Sequence, residues 1–262
     1  GSLMSAGLFA FLDEAQMQSF GWRIPFLLAL PLGFIGLYIR LRLEDTPKFR
    51  ELEKTHHVEA TPVRELFRNH RRQIAIAFGV TCLNAVGFYL ILSYMPTYLS
   101  TEMGMGKAQA FLATSISLAS YIFLIFLMGM LSDRLGRKTA LITASVLFMG
   151  LTVPLFSMLD GASFATIVLI QIAFGALLTI NDGTLPCFLS EIFPTRVRYS
   201  GFAFSFNAAN ALFGGTAPFV ATWLISVTGS KLAPAWYLVG AAGLALVAML
   251  MARETAGKPL ED

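Results

Sequence analysis

Asp182 is the residue whose type and position in this sequence point most directly to chemistry. It lies in an apolar stretch from Phe164 to Leu189, and in the last six such stretches no other Asp, Glu, Lys, Arg or His lies away from the ends. Placing a carboxylate near the centre of a membrane costs about 2.5 to 3.5 kcal/mol, so a functional role is the default interpretation. Three roles are open: a proton carrier, a counter-ion for a quaternary ammonium solute, or a structural partner of a backbone group or arginine outside this sequence.

Helical periodicity predicts which side chains share a face with this aspartate, because residues three or four positions apart lie on one side of a helix. The stripe expected to face a cavity with Asp182 contains Gln171, Gly175, Leu178 or Thr179, and Pro186. The same spacing aligns two further sets, which are Asn84, Gly87, Ile91 and Tyr94, and Asn207, Asn210 and Gly214. The polar members of these sets are therefore candidates for contact with a solute or a proton.

Four aromatic rings lie close together in the sequence, at Phe88, Tyr89, Tyr94 and Tyr98. Such rings can cage a methylated ammonium group by cation–π contact, worth about 2 kcal/mol or more when desolvated. Two other interpretations are open. Tyrosines near the end of a span also anchor it at the membrane interface, and asparagines also join helices through hydrogen bonds.

The elements that must position these residues are transmembrane helices. The chain is 56% hydrophobic and 13% charged, which is typical of an integral membrane protein. Runs of about 20 apolar residues mark spanning helices, and this sequence has seven, at 22–41, 74–99, 108–132, 139–159, 164–190, 199–227 and 233–252. They lack the alternating pattern of barrel strands, so the predicted fold is an all-α integral membrane protein.

The distribution of basic residues predicts the orientation of the spans. Placing residues 42–72 in the cytoplasm puts 16 of the 19 Lys and Arg residues on that side, and only Arg23, Lys107 and Lys231 fall outside. Lys and Arg are retained on the cytoplasmic side. We therefore expect a multi-pass inner (plasma) membrane protein whose central linker and C-terminus are cytoplasmic.

Residues 42–72 form the one long polar segment and the expected boundary between two parts. Thr46-Pro47 and Thr61-Pro62 each predict the start of a short helix. Val63, Leu66 and Phe67 then share a face, as expected for a helix lying on the inner leaflet. His56, His57 and His70 lie here without the Cys or carboxylate spacing of a metal site.

The turn between the second and third spans after this linker reads GMLSDRLGRK, Gly129 to Lys138. It resembles the G-x-x-x-D-R-x-G-R-K/R loop motif of the major facilitator superfamily. Two further stretches are similar to the metabolite:proton symporter branch of that superfamily. The sixth helix of the branch and the loop after it are similar to GWRIPFLLALPLGFIGLYIRLRLEDTPKF. The loop between its tenth and eleventh helices, together with the eleventh helix, is similar to FPTRVRYSGFAFSFNAANALFGGTAPFVATWLI. The tail RETAGKPL is similar to the same branch, especially to its proline/betaine transporters.

The resemblance implies a domain order. Residues 1–12 correspond to the remnant of a helix, 13–41 to an extracytoplasmic loop and helix 6, 42–72 to the cytoplasmic central linker, 73–252 to the C-terminal six-helix transport bundle, and 253–262 to a cytoplasmic tail. The first four helices, with that half's substrate and coupling residues, are expected in a missing N-terminal half. The motif is expected to act as a conformational latch between the halves through Gly129, Asp133, Arg134, Gly136, Arg137 and Lys138.

The resemblance also implies a function, which is secondary transport of a small zwitterion or organic acid such as proline or glycine betaine with protons, by alternating access. The alternatives are a 2-oxoglutarate, citrate or dicarboxylate symporter of the same branch, and a truncated membrane remnant that transports nothing. The expected partners are a solute, protons, the lipid bilayer and the missing half. We expect no enzyme activity, metal, cofactor or nucleic-acid partner, because the basic residues are sorted by membrane side and no catalytic constellation lies inside the spans.

Overall fold

A computed structural model of the chain describes residue 8 and residues 12–42 and 62–259. The chain divides into two compact units, Gly1–Lys54 and Thr55–Asp262. The predicted remnant helix at 1–12, apart from residues 8 and 12, and the helix predicted after Thr46 lie outside the described residues. Each unit is considered separately.

In the first unit, a short helix α1 (Glu14–Ser19) leads into a spanning helix α2 (Gly21–Arg42). Asp13 begins α1, since its carboxylate accepts from the backbone N–H of Gln16 while the Gln16 side chain accepts from the backbone N–H of Asp13, which is a capping box. Between Arg23 and Arg40 the side chains of α2 are apolar and largely exposed, so this part of the helix offers an apolar surface on every side.

The second unit contains one short helix and six spanning helices, which run in sequence as α3 (Pro62–Asn69), α4 (Arg71–Thr101), α5 (Lys107–Leu135), α6 (Arg137–Ser157), α7 (Phe164–Glu191), α8 (Arg198–Thr228) and α9 (Ala233–Met251). Together with α2, seven helices within the described ranges are long and apolar enough to cross a membrane. The described residues contain no strand. The prediction of an all-α membrane protein with seven spans is therefore confirmed, and the helix ends differ from the predicted ones by a few residues.

The six spans pack into a bundle in which α5 lies along α7, α9 packs on α6 and α4, and α8 packs on α4. Short turns connect them, and glycines in backbone conformations that favour glycine stand at four of these turns, among them Gly136 (φ +94°) before α6 and Gly229 (φ +67°) after α8. One end of the bundle holds the starts of α4, α6 and α8 and the ends of α5, α7 and α9; we call it the basic end.

Three of these spans depart from regular α-helix in the region of the candidate residues. A π-helical segment, Phe88–Tyr94, interrupts α4, and another, Asn210–Gly214, interrupts α8. In α7 a turn at Gly183 and Thr184 separates Phe164–Asp182 from Leu185–Glu191. A π-helical turn contains an additional residue, so it rotates the side chains that follow relative to the predicted stripes.

The short helix α3 joins the bundle rather than only covering a membrane surface. Leu66 is completely buried in the apolar core of the basic end, and the ring of Phe67 meets that of Phe204 edge-on at 4.8 Å between centroids. Val63, the third member of the predicted apolar face, stays exposed. The expectation of a helix lying on the leaflet is corrected, because its central leucine is buried by protein.

Candidate functional site

Asp182 ends the first segment of α7 and points into the bundle, where it is 8% exposed. Its Oδ1 accepts a hydrogen bond from Asn84 Nδ2 on α4 at 2.7 Å, and its Oδ2 accepts one from the Tyr121 hydroxyl on α5 at 2.7 Å. One carboxylate thus joins three spans, and we call Asn84, Tyr121 and Asp182 the aspartate triad.

A close contact between α5 and α7 sets the position of this triad. A Cβ atom on Gly183 would lie 2.9 Å from the carbonyl oxygen of Ile125 and 3.0 Å from the backbone nitrogen of Gly129. Only glycine allows two helix backbones to approach this closely. Tyr121, one helical turn before Ile125, therefore stands opposite Asp182.

The triad leaves a charge that the described residues do not neutralise. Both partners of Asp182 are neutral donors, and within the described ranges no Lys, Arg or His forms an ion pair with it. A buried carboxylate without a cation is costly. A proton or a cationic solute can supply the missing positive charge, and the carboxylate oxygens can bind either one.

Gln171, predicted on the stripe of Asp182, packs against α5 instead of facing an open cavity. It is completely buried, and its Oε1 accepts from the Thr114 hydroxyl at 2.9 Å. Its main-chain carbonyl accepts from the Ser117 hydroxyl at 2.8 Å. This part of the stripe joins two helices, because the glycine at position 175 lets Ser117 approach closely.

The four aromatic rings do not form a single cage. Tyr94 and Tyr98 lie in the core, where Tyr94 shares a hydrogen bond with Thr222 at 3.0 Å and the Tyr98 hydroxyl donates to the carbonyl of Lys231 at 2.9 Å. The belt position considered for Tyr98 is therefore not observed either. Tyr94 is the last residue of the π-helical segment Phe88–Tyr94, and its side chain is buried.

Phe88 and Tyr89 keep partly open positions, and Tyr89 lies near Asn210 of α8. A Cβ on Gly214 would lie 2.8 Å from the Tyr89 ring and 3.3 Å from Asn210 Oδ1, so these three residues are neighbours. Asn210 and Asn207 each donate to a carbonyl of their own helix, at 3.0 and 2.7 Å, and Asn207 is exposed. The structure thus groups Tyr89 with Asn210, apart from the two core tyrosines.

Two motif residues, Asp133 and Arg137, pair with each other at the basic end, where Arg137, whose side chain is buried, also meets acidic residues from other segments. Its Nη2 lies 2.5 Å from Asp133 Oδ1, its Nη1 donates to the Ser132 hydroxyl at 2.6 Å, and its Nε lies 3.5 Å from Glu191 Oε1. The guanidinium therefore joins the end of α5 to the end of α7. Arg134, the next basic residue of the motif, is exposed.

Glu254, in the tail after α9, occupies the N-terminus of α6. Its two carboxylate oxygens accept from the backbone N–H groups of Arg137, Lys138, Thr255 and Ala256 at 2.9 to 3.1 Å. Burial by itself would raise the pKa of Glu254, but the four N–H donors outweigh it and hold the pKa below its usual value. Lys138 Nζ adds a bond to the carbonyl of Ala252 at 2.7 Å.

Gly136 leaves the space that the carboxylate of Glu254 occupies beside the N-terminus of α6. A Cβ at that position would lie 2.5 Å from Glu254 Oε2, and the φ of +94° also disfavours other residues. The Thr255 hydroxyl completes the cluster by donating to Glu191 Oε2 at 2.6 Å. We call Asp133, Arg137, Glu191 and Glu254 the charge cluster.

Sequence reasoning missed three of these residues. Tyr121 lies in an apolar run, and nothing in its own segment indicates that it faces Asp182. Glu191 and Glu254 are span-end carboxylates, and helix N-termini do attract anions. That rule predicts an acidic partner for α6 without identifying which one, since the pairing depends on tertiary contact.

Comparison with known proteins identifies the family. Residues 49–262 match the family described as "Sugar (and other) transporter". The chain belongs to this family, within the major facilitator superfamily. The resemblance based on the Gly129–Lys138 motif is thus confirmed.

Several bacterial members of the major facilitator superfamily are similar to the whole chain. The glycine betaine/proline/ectoine/pipecolic acid transporter OusA of Dickeya dadantii is 34% identical over 274 residues, covering 100% of this chain and 54% of the relative. A putative proline/betaine transporter of Staphylococcus aureus (strain COL) is 34% identical, covering 99% and 56%. The proline/betaine transporter of Salmonella typhimurium is 31% identical, covering 100% and 55%. The chain therefore spans about half the length of these relatives.

Proposed function

We propose that this chain supplies the six-helix bundle of a proton-coupled symporter for a small zwitterion such as proline or glycine betaine. The observation that carries the proposal is the aspartate triad, in which a buried carboxylate has two neutral donors and no cation among the described residues. The substrate class follows the names of the relatives, which are proline/betaine transporters. Transport proceeds by alternating access, with this bundle moving against a second one in a longer protein.

The Asp182 carboxylate can bind either a proton or a cationic solute, and we assign the proton to it. Asn84 and Tyr121 hold its two oxygens from opposite sides, which leaves less room for a bulky quaternary ammonium than for a hydrogen atom. The ammonium end of the solute instead meets the partly exposed rings of Phe88 and Tyr89, with Asn210 beside them. Cation–π contact and an amide oxygen both suit a methylated ammonium.

The carboxylate end of the solute requires a different partner. Arginine and lysine are the side chains that hold carboxylates, and among the spans of this bundle the buried one is Arg137, which the charge cluster already engages. We therefore assign the carboxylate contact to the second bundle.

The charge cluster is proposed as the latch of one conformation, on the cytoplasmic side. The basic end holds most Lys and Arg residues, which are retained in the cytoplasm. The cluster joins the ends of α5 and α7, the start of α6 and the tail through charge-assisted contacts, so separating these elements requires breaking it.

Uptake into cells that lack other osmolyte carriers tests the function. We expect the intact protein to accumulate labelled proline and glycine betaine when a proton gradient is present, and to lose accumulation when a protonophore removes it. Labelled 2-oxoglutarate serves as the rival substrate. Accumulation that ignores the gradient contradicts proton symport, and uptake of 2-oxoglutarate alone contradicts the substrate class.

A further inference from the structure

A cavity of about 490 Å³ lies at the basic end, away from the aspartate triad. The start of α4, the end of α7, the end of α9 and the tail line it. Its polar wall consists of Arg72, Gln73, Glu191, Arg253, Glu254, Thr255 and Lys258. Two of these residues, Glu191 and Glu254, belong to the charge cluster, whereas the proposed function assigns no role to the three cations or to the cavity itself.

The two carboxylates in the wall are already engaged. Glu254 accepts from four backbone N–H groups. Glu191 accepts from the Thr255 hydroxyl and forms an ion pair with Arg137 at 3.5 Å. They are therefore poor partners for the cations beside them, because most of their lone pairs are directed elsewhere.

The three cations of the wall keep their charge available. Arg72 donates to a neutral group, the carbonyl of Met251, at 2.8 Å. Arg253 and Lys258 form no ion pair with the part of the chain that the structure describes. Three basic groups around one cavity, with their acidic neighbours occupied, attract an anion.

The position and the remaining walls of the cavity point to the kind of anion. Three spans end here, which places the cavity at the level of the lipid headgroups. Ile76, Ile192, Met251 and Pro259 supply apolar lining. A phosphate with an attached apolar group fits this combination, since guanidinium and ammonium groups bind phosphate oxygens and the apolar wall accepts a glycerol or acyl segment.

We propose that this cavity binds the phosphate of an anionic phospholipid headgroup. A soluble phosphate offers the same chemistry without the apolar part. Once bound, the headgroup connects Arg72 at the start of α4 with Arg253 and Lys258 in the tail. Because that tail carries Glu254, lipid binding stabilises the charge cluster.

The test uses the full chain in nanodiscs of phosphatidylcholine that contain increasing fractions of phosphatidylglycerol. The readouts are lipid retention by native mass spectrometry and hydrogen exchange of the tail. The variant Arg253→Gln/Lys258→Gln is compared with Arg64→Gln/Arg68→Gln, which removes the same charge from exposed positions of α3. The first variant removes two of the three cavity cations and their charge-assisted contacts to the phosphate, so it is expected to bind phosphatidylglycerol about tenfold or more weakly.

The control variant is expected to bind like the unaltered chain, and phosphatidylglycerol is expected to protect the tail from exchange only when the cavity cations are present. Equal weakening by both variants overturns the proposal, since it indicates diffuse surface attraction. Inorganic phosphate is added separately to nanodiscs of pure phosphatidylcholine. Protection of the tail by millimolar phosphate equal to that by phosphatidylglycerol overturns the lipid source.

Discussion

At the residue scale, the aspartate triad makes Asp182 dependent on its two donors. Tyr121→Phe removes the hydroxyl that donates to Oδ2 at 2.7 Å and leaves that oxygen unpaired in a buried site. An unpaired buried acceptor costs about 1–3 kcal/mol, so we expect a loss of that size in the free energy of unfolding, measured by thermal unfolding in detergent.

A matched control for this change is Tyr237→Phe. Tyr237 is a half-buried span tyrosine for which no hydroxyl hydrogen bond occurs in the described part of the chain. Its replacement is expected to leave the unfolding temperature nearly unchanged. Equal destabilisation by the two substitutions would show that the hydrogen bond to Asp182 contributes nothing particular.

Glu254 links stability to pH. Its pKa is lowered in the folded chain, from about 4.3 when unfolded, so its stabilising effect is present above the unfolded pKa and is lost as pH falls through the folded pKa. Glu254→Gln is therefore expected to lower the unfolding temperature near pH 7, and the difference from the unaltered chain is expected to shrink below about pH 4.

The measurement is the unfolding temperature of both proteins across this pH range. Asp160→Asn is the control, since Asp160 is an exposed carboxylate whose contact is a 3.5 Å pair with Lys231 at the other end of the bundle. If the difference in unfolding temperature between Glu254→Gln and the unaltered chain persists unchanged at pH 3, an ionised Glu254 carboxylate at the N-terminus of α6 is contradicted.

At the element scale, α7 connects the aspartate triad to the charge cluster. Its first segment ends at Asp182 and its second ends at Glu191, with the turn at Gly183 and Thr184 between them. Gly183 also contacts the backbone of Gly129 in α5. A change at the triad can therefore reach the cluster through this turn and through the contact between the two helices.

Gly183→Ala tests the contact between α5 and α7. The added methyl group would lie 2.9 Å from the carbonyl oxygen of Ile125, and overpacking of this kind costs about 1–3 kcal/mol. We expect a lower unfolding temperature and impaired uptake. Gly150→Ala is the control, because a Cβ there meets nothing within 4 Å and alanine favours a helix interior by about 0.5–1 kcal/mol; equal effects would contradict the close contact.

The elements were more predictable from sequence than the side-chain pairings were. The seven spans follow from run length, since a membrane requires about 20 apolar residues for each crossing. The π-helical segment Phe88–Tyr94 was not predictable, because a pattern that assumes regular periodicity has no signal for an additional residue. Asp182 was predicted as a site residue because burying a carboxylate in the membrane costs free energy. The roles of Tyr121 and Glu254 were not predicted, because they depend on how separate spans pack together.

At the scale of the whole molecule, the triad and the charge cluster form a path from the bundle interior to its basic end. The chain covers about half the length of its relatives, 54 to 56%, so the motion of this bundle is proposed relative to a second one. In that arrangement, we propose that protonation of Asp182 favours one position of α7 and that the charge cluster stabilises the other.

The most direct test of proton coupling through Asp182 is to measure the proton flux that accompanies solute entry into proteoliposomes containing the intact protein. With the unaltered protein, proline or glycine betaine is expected to draw protons inward and acidify the lumen. Asp182→Asn is expected to abolish that flux and gradient-driven accumulation while solute exchange across the membrane continues, and Asp160→Asn is expected to behave like the unaltered protein. Undiminished solute-driven proton flux in Asp182→Asn would contradict the assignment of the proton to Asp182.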